Sequence, residues 1–188
     1  MLRINFKPWI YATVVCVVLI YFFIEKYFDG ESLFSNISKT STIYGIIFMI
    51  FTKWLWKFKW FIKFLPFPYL GGKWNGELKS TYPGCKPICI SVTIKHGFFH
   101  SYLIMNTEES KSLSNSFVFN IDEDLGIRQI IYTYQNTPNA TERDHSTIHW
   151  GSAVLDFDDV GDKLEGNYWT DRGTTGTIIL KKKDSSKK

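Results

Sequence analysis

An uncharged, apolar run close to the N-terminus constrains this chain more than any other feature. No charged side chain occurs between Pro8 and Ile24, and from Trp9 onward nearly every position is apolar or aromatic. A bilayer crossing takes about 20 such residues. The run, with its flanking aromatics and Lys26 at its far end, therefore predicts a transmembrane helix over about 8–28. A cleaved signal peptide is the rival reading. It fits less well, because Glu25, Lys26, Tyr27 and Phe28 follow where small residues are needed for cleavage.

A second, shorter run covers 40–52. Alone it would suit a buried or interfacial helix. The continuation alternates Trp54, Trp56, Phe58 and Trp60 with Lys53, Lys57, Lys59 and Lys63, which is what a helix needs as it leaves the bilayer. A second span over about 40–57 is predicted, followed by an interfacial stretch, so that residues 1–66 form a transmembrane hairpin. Arg3 and Lys7 precede the first span and the lysine series follows the second. The connecting loop carries Lys26 and Lys39 against Glu25, Asp29 and Glu31. Positive residues stay inside, so both termini are expected in the cytoplasm.

Pro66, Phe67 and Pro68, then Gly71 and Gly72, mark the boundary to a domain over 69–183, with 184–188 a solvated tail. The three cysteines, one of them inside the apolar run, do not suggest a disulfide framework. The lysine clusters beside a membrane helix meet anionic headgroups more naturally than nucleic acid, so no DNA or RNA partner is expected.

Beyond the boundary the apolar period is two, and turn residues punctuate short runs. Eight strands are predicted, at 73–81, 87–95, 98–106, 116–121, 127–135, 146–157, 163–170 and 174–183, with a polar loop over 107–115. A small closed antiparallel barrel of eight strands leaves no edge unpaired, and its interior is filled or holds one small ligand. A two-sheet sandwich is the alternative.

The chemistry-bearing residue types do not assemble into a catalytic pattern. Cys85, Cys89, His96 and His100 are zinc-ligand types, but their spacing is not that of a zinc finger and the strand pattern accounts for all four. No nucleophile elbow, P-loop or dinucleotide fingerprint is present. His145 and His149 near Asp144 form no recognisable triad, and Asp156, Asp158, Asp159 and Asp162 read as a solvated turn. Neither an enzyme nor a cofactor or metal site is expected.

The most distinctive segment is the hairpin over 164–180. Tyr168 and Trp169 could stack on a base, Arg172 could pair with a phosphate, and Thr170, Thr174 and Thr175 could donate to one. The same residues also describe a well-packed hairpin in which Arg172 is tied to Asp171 or a carbonyl.

With the Trp74-x-Gly76 opening and the ending from Gly166 to Gly176, this layout resembles the two-transmembrane, β-strand-rich effectors that accompany CD-NTase enzymes in bacterial CBASS antiphage operons. The resemblance implies a mechanism. During infection a CD-NTase makes a cyclic dinucleotide, which acts as activating ligand. The cytoplasmic barrel binds it, the effector forms a homo-oligomer, and the helices disrupt the inner membrane so that the cell dies before the phage matures.

Such a ligand calls for arginines and aromatic faces. Arg172 and Arg128 are the expected phosphate partners, with Arg143 behind them, and Trp169, Tyr168, Tyr132, Tyr134 and Trp150 the expected stacking residues, assisted by Thr170 and Thr174. Alternation puts Arg128, Ile130, Tyr132 and Tyr134 on one side of a strand, without saying whether that side faces the lumen. A barrel carrying a lipid or other apolar ligand, and a purely structural interaction module, remain open as alternatives.

Overall fold

The computed structural model describes residues 7–28, 32–65, 67–82, 84, 86–144 and 146–183. The expectations placed on Arg3, Pro66, Cys85, His145 and the tail lie outside these residues. The chain divides into two compact units, one within Ile4–Phe64 and one within Leu65–Lys188.

The first unit is helical. Helix α1 spans Lys7–Tyr27. At about 1.5 Å per residue it is roughly 31 Å long, close to the thickness of a hydrocarbon core. Its apolar side chains, among them Val14, Val15, Val18, Leu19 and Phe22, are exposed rather than buried. Helix α2 spans Leu33–Lys53 and begins at Ser32, whose side chain accepts a hydrogen bond from the Ser35 N–H at 3.3 Å. Rings of Trp9 and Phe51 lie 6.0 Å apart, and the Tyr44 hydroxyl lies 3.5 Å from that of Thr13, so the two helices form an antiparallel hairpin.

The second helix differs from the span predicted over 40–57. It starts earlier, at Leu33, and its α-geometry stops at Lys53, where Trp54 leaves the helical region at φ −129°. A 3-10 turn over Leu55–Lys57 and the short α3, Lys59–Ile62, follow. Ser35, Asn36, Ser38, Lys39 and Thr40 make the first half of α2 polar. Among the described helices, only α1, from Trp9 to Tyr27, is long and apolar enough to cross a membrane.

The second unit is a closed antiparallel barrel in which each strand pairs with its chain neighbours and β1 closes on β8. The strands are β1 Gly72–Ser80, β2 Ile88–His96, β3 Ser101–Asn106, β4 Ser110–Asp122, β5 Ile127–Pro138, β6 His149–Phe157, β7 Lys163–Thr170 and β8 Thr175–Lys182. Closure satisfies every edge, and this favours the barrel over the sandwich.

Four strands depart from the pattern read from sequence; the fifth runs on to Pro138 rather than stopping at 135. The third begins at Ser101 rather than 98, because 97–100 is a turn in which the Gly97 N–H donates to the His100 carbonyl at 2.9 Å. The sixth begins at His149 rather than 146. The fourth is the largest departure, since most of the predicted 107–115 loop is strand. A bulge between Ser114 and Ser116 inverts its alternation. Ser112 is buried before the bulge, and Phe119 and Ile121 after it, so an even-numbered inward face becomes an odd-numbered one.

One end of the barrel is closed. There Phe67 stacks on Phe119 at 5.2 Å, Tyr69 on His96 at 5.4 Å and His96 on Phe119 at 5.2 Å. The Leu70 N–H donates to His96 Nδ1 at 3.1 Å, the Trp74 indole donates to the Leu70 carbonyl at 3.0 Å, and Lys182 Nζ donates to the Tyr69 carbonyl at 2.9 Å. A layer of Trp74, Val92, Ile130, Leu155, Leu164 and Leu180, all fully buried, lies above this base.

Candidate functional site

The opposite end is open. Hairpin connections β1–β2, β3–β4, β5–β6 and β7–β8 converge there around a cavity of about 1070 Å³ that reaches into the lumen. Ligand pockets are typically about 300–1,000 Å³. The lower wall is apolar, with Leu78, Leu103, Met105 and Ile178 beside Tyr132. The upper wall is polar. Asn136 Nδ2 donates to the hydroxyls of Ser110 and Ser112, each at 2.9 Å, and the Thr170 and Thr174 hydroxyls lie 2.6 Å apart.

Charge at the mouth is divided. Arg172 on the β7–β8 turn and Lys86 on the neighbouring β1–β2 connection both line the cavity. Glu108, Glu109 and Glu142 occupy the β3–β4 and β5–β6 connections. Those two acidic segments are tied together, for the Asn139 N–H donates to the Glu109 carbonyl at 2.7 Å and its side chain to the Glu108 carbonyl at 2.8 Å.

Arg172 is held by two contacts, with Nη2 3.3 Å from His149 Nε2 and Nη1 3.5 Å from the Ser146 hydroxyl. Asp171 does not take it. The Asp171 carboxylate instead accepts from the Trp150 N–H at 3.1 Å. The ring of His149 also lies 3.1 Å from the Thr147 carbonyl through Nδ1. Burial lowers the His149 pKa, with Arg172 acting the same way, against the Thr147 bond and the Asp171 charge.

Two tyrosine rings are seated on glycines. A Cβ at Gly151 would collide with the Tyr134 ring, and one at Gly176 with the Tyr168 ring and the Lys79 carbonyl. Missing side chains thus let these phenols lie flat on the wall. Burial, then the neighbouring Tyr168 and Asp171, pushes Tyr134 ionisation well up, with Arg172 opposing. Tyr132 is raised too, by burial first and Tyr134 second. Both are neutral hydroxyls at physiological pH.

Of the residues singled out from sequence, Tyr132, Tyr134, Tyr168, Thr170, Arg172 and Thr174 line this cavity. Trp150 and Trp169 do not: they alternate outward and are about half exposed, at 50% and 45%. Arg128 shares the inward parity of Tyr132 but stands at the closed end, where it ion-pairs with Asp159. Arg143 is exposed beyond the 3-10 turn Ala140–Glu142 and is not on the cavity wall.

Sequence reasoning missed Ser110, Ser112, Asn136, His149 and Lys86 as wall residues. The serine series was the available signal, an alternation of small polar residues rather than apolar ones. Among the described residues, no group of three His, Cys, Asp or Glu side chains could hold a metal ion.

A family model described as "Cap15, cyclic dinucleotide receptor domain" matches residues 65–182. The chain is 28% identical over 182 residues to CD-NTase-associated protein 15 of Escherichia albertii, covering 91% of each. It is 31% identical over 146 residues to the protein of that name in Staphylococcus schleiferi, covering 78% of each. The relative in Yersinia aleksiciae is 30% identical over 153 residues, which covers 79% of this chain and 71% of that one. A closed eight-stranded barrel over the matched residues, behind an apolar helical hairpin, completes the agreement: this chain belongs to the Cap15 family of CD-NTase-associated CBASS effectors.

Proposed function

We propose that the barrel is the sensor of an antiphage effector and takes a cyclic dinucleotide through its open end. The observation that carries this reading is that Arg172, Lys86, Tyr132, Tyr134 and Tyr168 line one cavity of about 1070 Å³, a volume large enough for a nucleobase. A cyclic dinucleotide has two phosphates and two bases. Arg172 and Lys86 suit the phosphates, and the acidic connections opposite would turn them toward that side. Tyr134 and Tyr168 offer faces for stacking.

Ligand binding then favours association of barrels, and the helices act on the bacterial inner membrane, with α1 and the apolar half of α2 both inserted and the barrel in the cytoplasm. Assembly of anchored copies perturbs the bilayer and kills the infected cell. The protein acts as a receptor and effector rather than an enzyme, and its functional partner is the CD-NTase that makes the ligand.

The test is calorimetric titration of the full chain in detergent micelles with a panel of cyclic dinucleotides, followed by light scattering for assembly. Saturable binding of at least one member, with growth in particle mass, is expected. No binding across the panel, with a co-purified lipid in the mass spectrum, would replace this reading by that of an apolar-ligand carrier.

A further inference from the structure

Tyr132 stands apart from the other wall residues. Its side chain is 1% exposed, and among the described residues its hydroxyl has no hydrogen-bond partner. A buried phenol without a partner lowers stability relative to phenylalanine in the same place, and native proteins keep few such groups. Of the residues that line the same cavity, Leu78, Leu103 and Ile178 carry no polar side-chain atom, and the ring of Tyr134 lies 5.9 Å from that of Tyr132. The next inward residue on the strand, Ile130, is fully buried and lies below the cavity. Tyr132 therefore occupies the floor, beneath Tyr134 and Asn136.

We propose that Tyr132 reads a nucleobase: its hydroxyl hydrogen-bonds the polar edge of a base inserted to the floor of the lumen, while the phosphates stay at the mouth beside Arg172. This rests on the reading of the cavity as a cyclic dinucleotide site. A phenol both donates and accepts, as a base edge requires. A phosphate at this depth would be an anion among aliphatic side chains, away from the guanidinium, and is disfavoured. A lipid chain would leave the hydroxyl as unpaired as it is without ligand.

The decisive variant is Tyr132→Phe, which removes one atom and keeps the ring. Full-length wild type and variant, in the same detergent, are titrated with cyclic diadenylate, cyclic diguanylate and the mixed dinucleotide, and melted without ligand. The variant is expected to melt at the same or a higher temperature, to bind the preferred ligand about tenfold more weakly, and to discriminate less between bases. A loss equal for all three ligands, or none for any, overturns the base-reading role. A fall in the ligand-free melting temperature also overturns it, because the hydroxyl would then have a structural partner. Failure of the wild type to bind any member of the wider cyclic dinucleotide panel, these three included, removes the reading of the cavity itself.

Discussion

Nη2 of Arg172 lies 3.3 Å from Nε2 of His149, and because a guanidinium can only donate, the imidazole presents a lone pair there. The proton then sits on Nδ1, where the Thr147 carbonyl accepts it at 3.1 Å. One neutral tautomer of His149 thus positions the arginine at the mouth.

That arrangement has a pH signature. The folded His149 pKa lies below its ordinary 6.5, through burial first and Arg172 next. The unfolded chain therefore takes up the proton more readily. The stability associated with the neutral ring is complete above about pH 6.5 and is lost as the pH falls through the lowered folded value. Melting curves of the full chain between about pH 7.5 and 5 should show an acid loss that is shallower in His149→Gln, whose amide oxygen still accepts from Arg172. Parallel curves for the two proteins would contradict the assignment.

The arginines at the two ends of the barrel should behave differently. Arg172→Ala is expected to weaken cyclic dinucleotide binding roughly 10- to 100-fold, the range for a charge-assisted bond to phosphate. Arg128→Ala, which breaks only the exposed pair with Asp159 at the closed end, should leave affinity unchanged. Calorimetric dissociation constants for both variants decide it.

Gly151→Ala tests the seating of Tyr134. The new methyl meets the phenol ring and approaches the Trp169 carbonyl to 2.8 Å, so the ring must swing into the lumen. A loss of about 1–3 kcal/mol in folding stability is expected, as for other overpacked sites. Ligand affinity should fall in parallel, and chemical denaturation beside titration separates the two effects.

A charged α1 should lose its hold on lipid. Val15 and Val18 are exposed near the middle of the helix, and arginine there costs about 2.5–3.5 kcal/mol per residue for insertion. Val15→Arg with Val18→Arg should move the protein out of the carbonate-resistant membrane fraction. Retention at the wild-type level would mean that α1 is not the anchor.

The barrel was legible from sequence wherever its inward face is greasy. Ile90, Val92 and Ile94 alternate with polar residues and lie buried as that pattern requires. It was illegible where the inward face is wet. Ser110 and Ser112 carry no apolar signal, and the bulge before Ser116 breaks the period between the two halves of β4, so the mouth half reads as loop. For the site, residue type nominated Arg172, Tyr132, Tyr134 and Tyr168. Only pairing registers could separate Tyr168 from Trp169, which point opposite ways, or place Arg128 at the far end. The start of α2 was hidden because Ser32 caps a helix whose first turns are polar.

Leu70, just before β1, is bonded into the closed base of the barrel, while the mouth opens at the other pole. Between them stands an unbroken hydrogen-bonded ring that resists shear, so no short lever leads from an occupied lumen to the tether. Under the proposed assembly, an occupied lumen is then signalled by the count of neighbouring copies rather than by a bend within one. Scattering from a single protomer should keep its profile whether the lumen is full or empty, and only the number of copies per particle should change.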